Sequence, residues 1–143
     1  MIDVKIKMDD GVAAPFYATV GAAGFDLSST QNHILMPGET TLVGTGLYFE
    51  IPEGYELQVR PRSGVSLKTG LRVANSPGCV DSDFRGEVKV ILHNAGDRVE
   101  KISKGDRIAQ GILSQVPKAN FIIVEQLSET DRGTGGFGST GIK

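Results

Sequence analysis

Tryptophan is missing from this sequence, and cysteine occurs once, as Cys79. A single cysteine excludes an internal disulfide and fits a reducing compartment. A chain of 143 residues forms one ordinary domain, burying roughly two-thirds of its unfolded surface, and needs no disulfide scaffold. No apolar run approaches the roughly 20 residues that span a membrane. The start, Met1-Ile2-Asp3-Val4-Lys5, lacks a basic segment followed by an apolar one, so no signal or transit peptide is expected. Cationic excess is also missing. The net charge is −2, which argues against polymeric DNA or RNA as the main partner. A small anion remains admissible, because it needs only a local cationic pocket.

What is abundant is glycine. The 19 glycines are about twice the usual share, which argues for many turns or for backbone that approaches a ligand closely. Apolar residues make up 39% and charged ones 22%, a globular balance. Period-two alternation or runs of β-forming residues predict strands over Ile2–Met8, Leu42–Ile51, Tyr55–Val59, Val88–Leu92, Ile108–Val116 and Phe121–Val124. Ile91 interrupts the alternation of the fourth. Turn signals separate them at Pro37-Gly38, Pro52-Glu53-Gly54, Asn94-Ala95-Gly96-Asp97 and Lys104-Gly105-Asp106. The only helix expected is short, Ser63 to Thr69, closed by Gly70. Many short strands imply a sandwich or barrel. From Glu129 the sequence ETDRGTGGFGSTGIK cannot build a core, yet it carries one arginine and one phenylalanine.

Three familiar patterns fail. Gly133 to Gly138 fits G-x-G-x-x-G, but no strand precedes it, and Ser139 to Lys143 supplies neither helix nor acid. Asp81-Ser82-Asp83 opens like a calcium loop, but Arg85 and Leu92 stand where coordinating acids are needed. The P-loop pattern is absent. His33 and His93 are far apart in sequence and are read as surface or packing residues. Cys79 has no evident base nearby and is read as a packed small residue.

Five segments are more polar and more densely patterned than folding requires. They are Ala23-Gly24-Phe25-Asp26-Leu27-Ser28; Pro61-Arg62-Ser63-Gly64; Asn75 to Gly86; Gly105-Asp106-Arg107-Ile108-Ala109-Gln110; and Arg132 to Gly141. In the second, arginine and backbone N–H groups at a helix start can hold an anion. A charged turn with a serine N-cap explains it equally well. The third reads as a strand, a tight turn and a return strand.

Together, in this order and spacing, the five segments resemble the five motifs of the trimeric dUTPase family across nearly the whole chain. The resemblance implies an all-β fold, a distorted jelly-roll-like β-barrel (a β-clip) over residues 1–128. A flexible glycine-rich arm over 129–143 would be swapped onto a neighbour in a homotrimer. It implies hydrolysis of dUTP to dUMP and pyrophosphate, which keeps uracil out of DNA and supplies dUMP. Asp81 would be the general base for water attacking the α-phosphorus. Arg62, Ser63, Gly64 and Gln110 would contact the phosphates, with Arg132, Ser139 and Thr140 closing over the γ end. Phe137 would stack on uracil, with Gly138 beside it. Asn75, Gly78 and Val80 would read uracil's polar edge. Phe84 would pack under the deoxyribose, where the family usually has tyrosine. The implied cofactor is Mg²⁺, held chiefly by phosphate oxygens and water, with Asp26 in the outer sphere. A cytoplasmic location is implied, in a host cell if the protein is viral. The rival readings are a dCTP deaminase of the same superfamily and a non-catalytic nucleotide-binding regulatory protein.

Overall fold

The computed structural model describes residues 1–139 and 141. Its strands are β1 (Lys5–Met8), β2 (Phe25–Ser28), β3 (His33–Leu35), β4 (Thr40–Glu50), β5 (Tyr55–Arg60), β6 (Leu71–Val73), β7 (Gly78–Val80), β8 (Glu87–Asn94), β9 (Glu100–Ile102) and β10 (Arg107–Gln115), with one helix, α1 (Ser63–Lys68). Two four-stranded sheets, ordered β1-β4-β8-β6 and β2-β10-β5-β7, are joined by a small β3-β9 pair. Every pairing is antiparallel. The strands that pair are mostly distant in sequence, as in a jelly roll.

Side-chain alternation explains the two layers. Along β8, Val88, Val90, Leu92 and Asn94 point inward while Lys89 and His93 point out. Ile91 belongs to the outward set, opposite Leu42 of β4, so the alternation is regular after all. Inward residues of one sheet (Val43, Phe49, Val90, Leu92) join those of the other (Phe25, Leu27, Leu57, Val59) in one core. Full burial of each such side chain contributes about 1.5–3 kcal/mol. Of the buried polar residues, Asn94 is the most enclosed, and it is satisfied. Its amide donates to the carbonyls of Leu35 and Arg98, and its oxygen accepts from the Gly96 N–H.

Four local readings are corrected. β1 is shorter than expected and exposed throughout, because it only adds to the free edge of β4. The Asn75–Asp81 stretch is not a hairpin. β6 pairs with β8 in one sheet and β7 with β5 in the other, so the segment carries the chain between layers. Its Ser76–Pro77 peptide is cis. Helix α1 is capped at its C-terminus by Thr69, whose N–H and hydroxyl both bond the Val65 carbonyl. Gly70 serves packing instead: a Cβ there would stand 2.8 Å from the Gly96 nitrogen. Finally, Phe121–Val124 pairs with no strand among the described residues. Phe121 and Ile123 are 90% and 99% exposed. A run of β-forming residues becomes a strand only when its backbone pairs with an edge, and this run joins none among the described residues.

Candidate active site

Strand β2 divides its residues between core and solvent. Phe25 and Leu27 enter the core, and Asp26 and Ser28 face the other way into a cavity of about 660 Å³. β2 lies tightly on β10. A Cβ at Gly24 would stand 2.7 Å from the Gly111 carbonyl oxygen, and one at Gly111 would stand 2.7 Å from the Phe25 ring. Both glycines are therefore required for the approach that sets Asp26 opposite Gln110.

Arg107 and Gln110, both on β10, line this cavity. Three residues apart on a regular strand, they would face opposite sides. A bulge between Arg107 and Ala109 shifts the register. It buries Ile108 and Ala109 together and leaves both polar side chains on the cavity side, a common use of a bulge beside a site.

The third wall comes from the β5–α1 junction. Arg62 is the N-cap of α1, with no side-chain cap on the first turn; the serine N-cap is therefore excluded. Ser63 and Gly64 border the cavity. Arg62 Nε meets Asp26 Oδ1 at 2.7 Å, and Arg107 Nη1 meets Asp26 Oδ2 at 3.1 Å. Arg62 Nη1 also donates to the Arg107 carbonyl at 3.1 Å, and Gln110 Nε2 to the Pro61 carbonyl at 3.0 Å. One carboxylate thus ties together two arginines, Arg107 on β10 and Arg62 at the start of α1. With Lys104, the cavity holds three cationic side chains against one acid, although the whole chain is anionic. Such a setting favours a polyanion.

Of the residues expected from sequence, Asp26, Arg62, Ser63, Gly64 and Gln110 converge here. Arg107 and Lys104 were missed. Arg107 lay within a recognised segment, but period-two reasoning could not foresee the bulge that turns it inward.

The remaining site residues lie elsewhere. β7 and β2 are opposite edges of one sheet, separated by three strand spacings, or roughly 14 Å. Asp81 follows β7 directly and is exposed. Gly78 is buried against Val59, with the Asn75 amide beside it, and Val80 is half-buried. Phe84 is 45% exposed. In the tail, Arg132 Nε donates to the Gly135 carbonyl at 2.7 Å. Phe137 is fully exposed, and Gly138 and Ser139 form turns beside it. None of these lines the cavity. Thr140 lies outside the described residues.

Cys79 is exposed, not packed as expected. Its thiol donates to Glu56 Oε2 at 2.6 Å. That bond, with some burial, pushes the thiol up to about 11 and holds the Glu56 carboxyl below its ordinary value. A thiol so raised is a poor nucleophile.

Comparison with known proteins agrees with this arrangement. The dUTPase family model matches residues 10–141. The deoxyuridine 5'-triphosphate nucleotidohydrolase of Nautilia profundicola is 53% identical over 135 residues, 94% of this chain and 95% of that protein. The Chlamydia pneumoniae enzyme of the same name is 54% identical, over 96% of this chain and 97% of that one. A solved structure of the Staphylococcus bacteriophage 80alpha dUTPase with dUPNHPP matches with a TM-score of 0.92. It covers 99% of this chain and 100% of that one, at 26% identity. On this fold, these motifs and these relatives, the chain belongs to the dUTPase family.

Proposed function

We propose that this enzyme hydrolyses dUTP to dUMP and pyrophosphate in active sites shared between the chains of a homotrimer. The observation that carries this reading is the separation of Asp81 from the cationic cavity. Both are exposed, yet they sit at opposite edges of one sheet. A cyclic assembly, in which the β7 edge of one copy meets the β2–β10 edge of the next, closes that gap. The unpaired apolar run Phe121–Val124 supports the same reading. An exposed apolar run with unpaired backbone can pair with an edge of another chain, and it would carry the arm, residues 129–143, away from the 1–128 domain.

In this reading the triphosphate lies on Arg62, Ser63, Gly64 and Gln110, with Arg107 adding a further cation. Asn75, Gly78 and Val80 of a neighbouring copy read uracil, and Phe84 packs under the sugar. Asp81 of that copy takes a proton from water. The water oxygen bonds to the α-phosphorus as the α–β bridging bond breaks, and pyrophosphate leaves. Arg132, Ser139 and Thr140 close over the γ end, Phe137 stacks on the base and Gly138 lets the arm turn. Phosphoryl transfer rests on this positioning and on charge neutralisation.

The donor set has a direct bearing on Mg²⁺. Among the described residues no three His, Cys, Asp or Glu converge. Asp26 already accepts from two guanidinium groups. A carboxylate retains lone pairs for water, so Asp26 suits the outer sphere of a cation that arrives on the triphosphate. When bound, Mg²⁺ would neutralise charge on the phosphates. No described helix is long and apolar enough to cross a membrane.

The test is pyrophosphate release with Mg²⁺ from dUTP, dCTP, dTTP and UTP in parallel. Release from dUTP alone is expected. Ammonia from dCTP with no release from dUTP would overturn the reading.

A further inference from the structure

The turn from Asp81 to Gly86 holds the Phe84 backbone on both sides. The Phe84 N–H donates to the Asp81 carbonyl at 3.2 Å. Arg85 Nη1 donates to the carbonyls of Ser82 and Phe84, at 2.6 and 3.0 Å. With the backbone fixed, the side-chain torsions alone decide where the ring lies. A phenylalanine has no hydroxyl to anchor its far end.

The ring rests on Gly86. A Cβ built there would stand 2.5 Å from Phe84 Cζ, and 3.0 and 3.2 Å from the two Cε atoms. Carbon atoms settle at about 3.5–4.0 Å, so a methyl group would drive the ring tip outward by roughly 1 Å. Gly86 is absent from the glycines with positive φ, so its backbone does not demand glycine. What demands glycine there is the ring.

We propose that Gly86 is a positioning residue for sugar selection: its bare Cα is the seat that fixes the Phe84 ring against the deoxyribose. The inference rests on the reading that Phe84 meets the sugar. Selection against a 2′-hydroxyl needs a ring surface placed in van der Waals contact with the 2′ carbon. A ring displaced by 1 Å either stands off from that carbon or overlaps it. Either way the loss falls on dUTP, which fits, more than on UTP, which is already refused. The same turn carries Asp81, so the sugar contact and the proton acceptor keep a fixed spacing.

The test is Gly86→Ala in the full-length protein, with kcat/KM measured for dUTP and UTP. The dUTP value should fall about tenfold, with a smaller fall for UTP, so that selectivity narrows. Because the ring is partly in solvent, Tm should be unchanged. Phe84→Ala and the double variant complete a cycle. If Gly86 acts through the ring, Gly86→Ala should have no further effect once the ring is gone. Unchanged selectivity in Gly86→Ala, or a full effect of Gly86→Ala in the Phe84→Ala background, would overturn the inference while leaving the sugar contact intact. Unchanged selectivity in Phe84→Ala would overturn the sugar contact itself.

Discussion

The cavity edge and the tail are held in opposite ways. At the β2–β10 edge, Asp26, Arg62, Arg107 and Gln110 are tied to one another and to the backbone across two strands and a helix start. From residue 117 to 139 there is no strand or helix, and the hydrogen bonds join near neighbours, as in Arg132 to Gly135. The first region is formed before any ligand arrives, and its two arginines are kept apart from phosphate only by one carboxylate. The second has few buried contacts to lose and opens at little cost. A site that binds a polyanion firmly and must then release pyrophosphate needs both. In the proposed reaction a preformed cradle supplies charge, and the loosely held tail is the cover that comes and goes.

The comparison is broken most severely by removing the proposed proton acceptor. Asp81→Asn should lower kcat by roughly 10²–10⁴-fold while dUTP still binds, which steady-state kinetics and calorimetry will separate. Deleting residues from Arg132 onward removes the proposed cover. Activity should fall by about 10²-fold with Tm and oligomeric state unchanged; full activity would make the tail a bystander. Phe137→Ala sharpens the distinction. Loss of about 1–3 kcal/mol of stacking should appear in KM, with no thermal penalty, since that side chain is fully exposed.

On the cradle side the expected effect is smaller. In Arg107→Ala, Asp26 keeps a single partner, Arg62. Competition for that arginine should then cost dUTP several-fold in kcat/KM, as for one charge-assisted hydrogen bond in a partly solvated site. The smallest effect is chemical. Cys79 at about 11, against an ordinary 9.0, holds roughly 100-fold less thiolate at pH 8. Its alkylation should be correspondingly slow, rising only above pH 9. Because its value is raised on folding, the linked stability is present below pH 9 and fades as pH climbs toward 11. Rapid alkylation at pH 8 would refute the Glu56 bond.

Sequence pattern reached the longer strands because alternation and β-forming composition are local. β4, β5, β8 and β10 follow from it directly. What it missed depended on partners remote in the chain. β6 and β7 look like a hairpin until each is seen to join a different sheet. Phe121–Val124 has the composition of a strand but pairs with no edge among the described residues. The half of the site around Asp26 was legible through the segments that resemble the dUTPase motifs, not through periodicity. Arg107 was not, because a one-residue bulge reverses the face that period two assigns. Gly86 stood inside a recognised motif, but only the ring lying across it gives that glycine a reason.

The claim that each site draws on more than one chain is tested most directly by mixing two inactive variants. Asp81→Asn lacks the acceptor, and Arg62→Ala lacks the cradle cation. Co-refolded in equal amounts, the two should form mixed trimers. In each mixed ring one site combines an intact Asp81 with an intact Arg62 from its neighbour. Activity should recover to roughly a quarter of the unmutated level, from the statistics of a threefold ring. Mixed trimers that form but show no activity above the parent variants would place Asp81 and Arg62 of each site on one chain and contradict the shared site.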